Sequence, residues 1–188
     1  SIYDSKDVVA LTKLLPPISD WPKFSGEGEY DHINFIKYLD HTIEAYGLPE
    51  QVLIVRLPRL FEGVALDWFV NKREIVGSKN WDYWKAAIKT QFGTRIWKKK
   101  LTKLFEADYF DPLKHKPHQW CLSQKKRLDC THPNLSTEEI NEKILSQCKG
   151  SLEHNIRCRL DIEADLTELI GVMEEVVELM GLNKKYNN

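Results

Sequence analysis

Several familiar features are missing from this chain of 188 residues. No apolar run approaches the roughly 18 residues that a bilayer-spanning helix requires, so no membrane span is expected. Period-two alternation of apolar and polar residues is absent, and no Asn-Gly or Asp-Gly pair occurs, which removes the usual signals for strands and hairpins. Only four cysteines are present (Cys121, Cys130, Cys148 and Cys158), all in the second half and none in a Cys-x-x-Cys pair. The polar opening Ser1 to Ala10 has no signal-peptide pattern, so free thiols in a reducing compartment are expected rather than a disulfide framework. Catalytic signatures are missing as well. There is no phosphate-binding loop, no GxGxxG, no HExxH and no GxSxG, and Gly26-Glu27-Gly28 follows no strand and reads as a hinge. The expectation is a protein that is not an enzyme and holds neither metal nor cofactor.

What is present favours helices. Hydrophobic residues make up 42% of the chain and charged residues 29%, a balance that suits a folded core rather than disorder. Six Trp, seven Tyr and seven Phe supply the area to close such a core with short elements. Val8, Val9, Leu11, Leu14 and Leu15 form one apolar stripe that Pro16-Pro17 must stop. An extended arm comes next, in which Trp21 and Phe24 flank Pro22-Lys23. A polyproline-like period of three would turn both rings to one side, so both are candidates for docking the arm on the first lobe. Asp31 and Asn80 stand where N-caps belong, Gly47 and Gly93 where helices stop, and Pro58 inside an apolar stripe that it should kink or split. Further on, Pro117 can open a helix, Ser136 with Glu139 reads as a capping box, and Asp165 with Glu168 repeats that pattern before the cleanest amphipathic run in the chain. The expected organisation is all-α, about nine helices in two small lobes: an arm over 1–29, a first lobe over 30–94 and a second over 95–188, parted at Gly93-Thr94.

Net charge is −1, which gives no global attraction to nucleic acid or membrane. Locally the charges separate. Residues 95–127 hold ten Lys/Arg against three Asp/Glu, net +7, and residues 128–188 hold six against twelve, net −6. Arg95, Lys98, Lys99, Lys100 and Lys103, beside Trp97, are the candidate contact for RNA or another polyanion, because neutralised phosphates drive such binding. The alternative is a solvated helix face, the usual fate of a charge run. Lys125-Lys126-Arg127 could instead match the acidic final helices. His118, Cys121, Cys130 and His132 suggest a zinc site, but their spacing suits tetrahedral coordination in its first half alone, and small buried cysteines are the better account. Asn134-Leu135-Ser136 has the form of a glycosylation sequon, but Ser136 is better explained as a cap.

Three segments in order carry a resemblance. Trp21-Pro22-Lys23-Phe24-Ser25-Gly26 comes first, then Leu60-Phe61-Glu62-Gly63-Val64-Ala65-Leu66-Asp67-Trp68-Phe69, then Trp81-Asp82-Tyr83-Trp84 running on to Phe92. Together they resemble the Gag capsid of gypsy-type LTR retrotransposons, whose pattern has an aromatic-x-Gly arm, a Leu-x-Gly-x-Ala-x-x-Trp segment and a Trp-x-x-aromatic helix ending in Phe. The likeness extends more loosely to Met180, with Gln119, Trp120 and Arg127 the nearest echo of a major homology region. Gly63, Ala65, Trp68, Trp81, Trp84 and Phe92 are the residues expected to fix the fold. Gly63 would let backbones approach or turn the chain, Ala65 would permit close packing, and Trp68 would fill the core.

The resemblance implies retroviral-capsid-like N- and C-terminal lobes and a homo-oligomer that self-assembles into shells around element RNA, as cytoplasmic virus-like particles. First-lobe helices would form rings and second-lobe helices two-fold contacts, with the outer faces of the first two helices and of the helix after Ser136 as the contact surfaces. RNA would be held by the basic segment or by a nucleocapsid region outside these residues, since no zinc knuckle and no aspartic-protease motif occurs within them. Two other functions remain open: a domesticated Gag-like adaptor that binds peptides in its first lobe, and a helical RNA-binding protein.

Overall fold

A computed structural model describes residues 5–184. Residues 1–4 and 185–188, at the outer ends of the expected arm and second lobe, lie outside the described residues. The fold is all-α: ten α-helices and two 3₁₀ turns among the described residues, against the nine or so expected. The chain divides into two compact units that part between Trp97 and Lys98, a little beyond the helix break at Gly93-Thr94. The arm belongs to the first unit, because its residues Trp21 and Phe24 are part of that unit's core.

The first unit contains α1 (Ser5–Leu14), α2 (His32–Tyr46), α3 (Glu50–Arg56), α4 (Gly63–Val76) and α5 (Trp81–Phe92). Only part of the opening stripe docks. Leu15 is buried and Val8 and Leu11 pack against the core, whereas Val9 and Leu14 are exposed. Asp31 caps α2 by accepting from the Asn34 amide at 2.9 Å, and Gly47 closes it in the left-handed conformation. Asn80 caps α5 the same way, accepting from the Tyr83 amide at 2.9 Å. These bonds satisfy amides that the first turn of a helix otherwise leaves unpaired. Pro58 has its effect as a 3₁₀ turn, Leu57–Arg59, that ends α3. Phe35, Ile36 and Leu39 of α2 meet Trp81, Trp84, Ile88 and Phe92 of α5 in one core.

Helix α6 (Arg95–Ala107) starts in the first unit and continues into the second, which adds α7 (Pro117–Thr131), α8 (Thr137–Leu145), α9 (Gly150–Arg159) and α10 (Leu166–Leu179). Ser136 and Glu139 form the full reciprocal capping box at the start of α8. At α10, Asp165 accepts from the Glu168 amide at 2.8 Å. Leu169, Met173 and Val176 of α10 sit at helical spacing and are buried against α7, α8 and α9, with Trp120, Ile144 and Ile156 in the same core. No helix among the described residues is long and apolar enough to cross a membrane.

Candidate functional site

The arm is held by backbone as well as by rings. The Phe24 amide donates to Leu60 O and the Glu62 amide to Phe24 O, both at 2.9 Å, and the Ala65 amide donates to Ser25 O at 3.0 Å. Phe24 and Phe61 thereby form a single parallel β-bridge. The Phe24 ring stacks on Phe35 with centroids 5.4 Å apart and meets Phe92 edge-on at 4.9 Å. Trp21 is buried too. Its Nε1 donates to Pro16 O at 3.2 Å, and the Arg56 guanidinium lies 4.9 Å from its ring centroid. Lys23 Nζ donates to Arg59 O.

The glycines separate the two roles that sequence left combined at Gly63. Gly63 has φ +51°, and a Cβ there would meet only the Glu27 carboxylate, at 3.6 Å or more, so its task is the turn into α4. The close approach belongs to Gly26 instead. With φ +72°, a Cβ there would lie 2.5 Å from the Phe92 ring. Gly28, two residues on, has open space around it. Ala65 is fully buried. Trp68 is only partly buried, edge-on to Phe92 at 5.2 Å, while its neighbour Phe69 is 2% exposed and stacks on Phe61. Trp68 thus packs against the core from its edge, and Phe69 lies within it. Trp81, Trp84 and Phe92 are all buried, and Trp81 Nε1 donates to Asp40 at 2.8 Å.

Arg95, Lys98, Lys99, Lys100 and Lys103 are all exposed on α6. Lys99 and Lys103 fall on the face opposite the buried Trp97, Leu101 and Phe105, with Lys98 and Lys100 on its two flanks, as a helical period requires. Trp97 offers no surface for stacking bases. It is 3% exposed, parallel to Tyr30 at 5.5 Å, and its Nε1 donates to Tyr30 O. The basic segment is therefore a charged face without an aromatic platform.

A polar network closes α6. Gln119 is exposed, whereas Gln124 is fully buried and its Nε2 donates to Phe105 O at 3.0 Å and Asp108 O at 3.1 Å. Arg127 donates to Asp108 at 2.7 Å and to Gln124 Oε1 at 2.8 Å, and Trp120 Nε1 donates to Asp108 at 3.3 Å. Gln147, oriented with its amide nitrogen inward, adds bonds to Phe105 O and Glu106 O. The carbonyls that a helix end leaves unpaired thus find donors from two other segments. Arg127 thus pairs with Asp108, and Lys125 pairs with Asp129 at 2.8 Å.

Cys121, Cys130 and Cys148 are buried and Cys158 is exposed, all as free thiols. Burial pushes the Cys121 and Cys148 thiols up to about 12. His118 and His132 are exposed while Cys121 and Cys130 lie in the interior, and no group of three or more His, Cys, Asp or Glu among the described residues is arranged to hold a metal ion.

The outer side of α8 is acidic. Glu138, Glu139 and Glu142 line a hollow of about 410 Å³ with Leu135 and Lys143. A smaller hollow of about 170 Å³ shares Glu138 and Glu142 and extends over Leu160, Asp161 and Ile162. Arg157 bridges Glu142 and Glu153, and its hydrogen bond holds the Glu142 carboxyl below the usual carboxylate range. No protein-family model, no curated protein and no solved structure matches the chain.

Proposed function

We propose that this chain is the capsid region of a gypsy-type Gag protein and that it self-assembles into cytoplasmic shells that package element RNA. The observation that carries this reading is the single core built by the three ordered segments. Trp21 and Phe24 of the arm, Phe61, Ala65 and Phe69 of the middle segment, and Trp81, Trp84 and Phe92 of the third all belong to it. A set of residues that resembles a family pattern in order, and that also meets in space, supports kinship of fold better than any one motif does. The step from fold to shell remains an analogy to that family.

Assembly requires two kinds of contact, because one symmetric contact closes at a dimer. Each contact is weak by itself, and multivalency makes the shell. The purified chain is expected to form large particles as concentration and salt are varied, read by light scattering and electron microscopy. A strict monomer under every condition would end this proposal.

The adaptor reading requires a peptide groove in the first unit. Trp21 and Phe24 are 2% and 3% exposed, so the place that an aromatic peptide would take is filled by the chain's own arm, which weighs against that reading. The RNA-binding reading keeps the exposed lysines of α6 but lacks the aromatic platform, so charge alone would have to hold the strand. Reversing those charges should then abolish RNA retention without unfolding the chain, and unchanged retention would dismiss it.

A further inference from the structure

The two surfaces that stand out by charge both lie within the second unit. One is the lysine face of α6. Lys98, Lys99, Lys100 and Lys103 are exposed, and none of the four enters an ion pair among the described residues. The other is the acidic side of α8 with the segment after α9, where Glu138 and Asp161 are exposed and likewise enter no ion pair among the described residues. Ile162 stands on this second surface with 80% of its area exposed, over the smaller hollow.

These charges decide how a second copy can meet the acidic side. A two-fold contact centred on it would set Glu138 and Glu139 near their own copies in the partner, Glu142 being already held by Arg157. Like charges brought together at an interface are a strong penalty against that pairing. A positively charged occupant suffers no such penalty. The chain itself carries one, on a helix whose opposite side is buried and whose lysines are unengaged. Long lysine stems can lie against Leu135 in the hollow while their ammonium groups reach the carboxylates that line it.

We propose that Lys98, Lys99, Lys100 and Lys103 of one copy dock on the acidic hollow of α8 and the Leu160–Ile162 segment of the next copy, head to tail. The inference rests on the assembly reading and specifies one of its contacts. It replaces the two-fold use of α8 that the family resemblance implies with a heterologous one. Heterologous contacts generate rings where the rotation closes and filaments where it does not. They also separate this use of the lysines from RNA binding, for which the acidic surface has no role.

The test uses charge reversal in the full chain with self-association followed by sedimentation velocity. One variant carries Lys98→Glu, Lys99→Glu, Lys100→Glu and Lys103→Glu. The other carries Glu138→Lys and Asp161→Lys, which leaves the Glu139 cap and the Glu142–Arg157 pair in place. Each alone is expected to weaken association by about tenfold or more, a loss typical of close interfacial charge pairs. An equimolar mixture of the two variants, and a single chain carrying all six changes, should recover most of it. Recovery also shows that neither variant lost association by failing to fold. Rising ionic strength should weaken the wild-type contact, the reverse of an apolar one.

Three results would overturn the inference. If the wild type associates and either reversed variant associates equally well, this contact is wrong while assembly stands. If nuclease treatment dissociates the wild type and only the α6 reversal matters, the lysines serve nucleic acid instead. If the wild type is a monomer throughout, the assembly reading falls and takes this contact with it.

Discussion

At the scale of single residues, the arm's geometry gives sharp contrasts between chemically identical changes. Gly26→Ala should destabilise the first unit by about 2–4 kcal/mol, because a left-handed backbone and a displaced aromatic ring add together. Gly28→Ala, with a similar φ of +68° but open space, should cost only about 1 kcal/mol. Thermal denaturation of the two variants checks the difference, and equal losses would mean that the Phe92 ring does not limit the site. The thiols give a second contrast. Cys158 should react with alkylating reagents in the native protein, while Cys121 and Cys148 should react only after unfolding. The sign of the pH effect comes from the same burial. Burial pushes Cys121 and Cys148 up to about 12 in the folded chain from their ordinary value of 9.0. Their contribution to stability is therefore full below about pH 9 and is lost as the pH rises toward about 12. Chemical denaturation across that range measures it.

Helices and their ends were the most legible part of the sequence. Asp31, Asn80 and Ser136 cap where a short polar side chain precedes an apolar stripe, and each bond is local, so four residues of sequence suffice to state it. The same locality explains what was missed. The donors that finish α6 come from Gln124 on α7 and from Gln147 beyond α8, and no rule of spacing along the chain connects them with Phe105. Gln119 and Gln124 look equivalent in a helical sequence, and only packing distinguishes them. Gln124→Leu should cost about 1–3 kcal/mol by leaving buried carbonyls without donors, whereas Gln119→Ala should be nearly silent. Ser136→Ala should cost about 1 kcal/mol through loss of the capping box. Urea unfolding of the three variants gives the ranking.

For the whole molecule, the chain divides into two compact units that part between Trp97 and Lys98. Gly93 ends a helix, yet an end of a helix is not an end of packing: Trp97, after the break, still stacks on Tyr30 and donates to its carbonyl. The two hydrophobic clusters share no residue. Calorimetry of the intact chain should consequently give a total enthalpy larger than the van 't Hoff value, and Gln124→Leu should shift only one component of the transition. A single two-state transition that moves as a whole would contradict this. The bridge between Phe24 and Phe61 has a further use at this scale. Its two amide protons, on Phe24 and Glu62, are shielded by bonds that join arm and body across a long stretch of chain. Native-state hydrogen exchange at those two positions would record how often the arm lifts, separately from how often the unit unfolds. If the arm lifts alone, those two protons will exchange together and faster than the core amides of α5, which makes them a clock for the arm's opening.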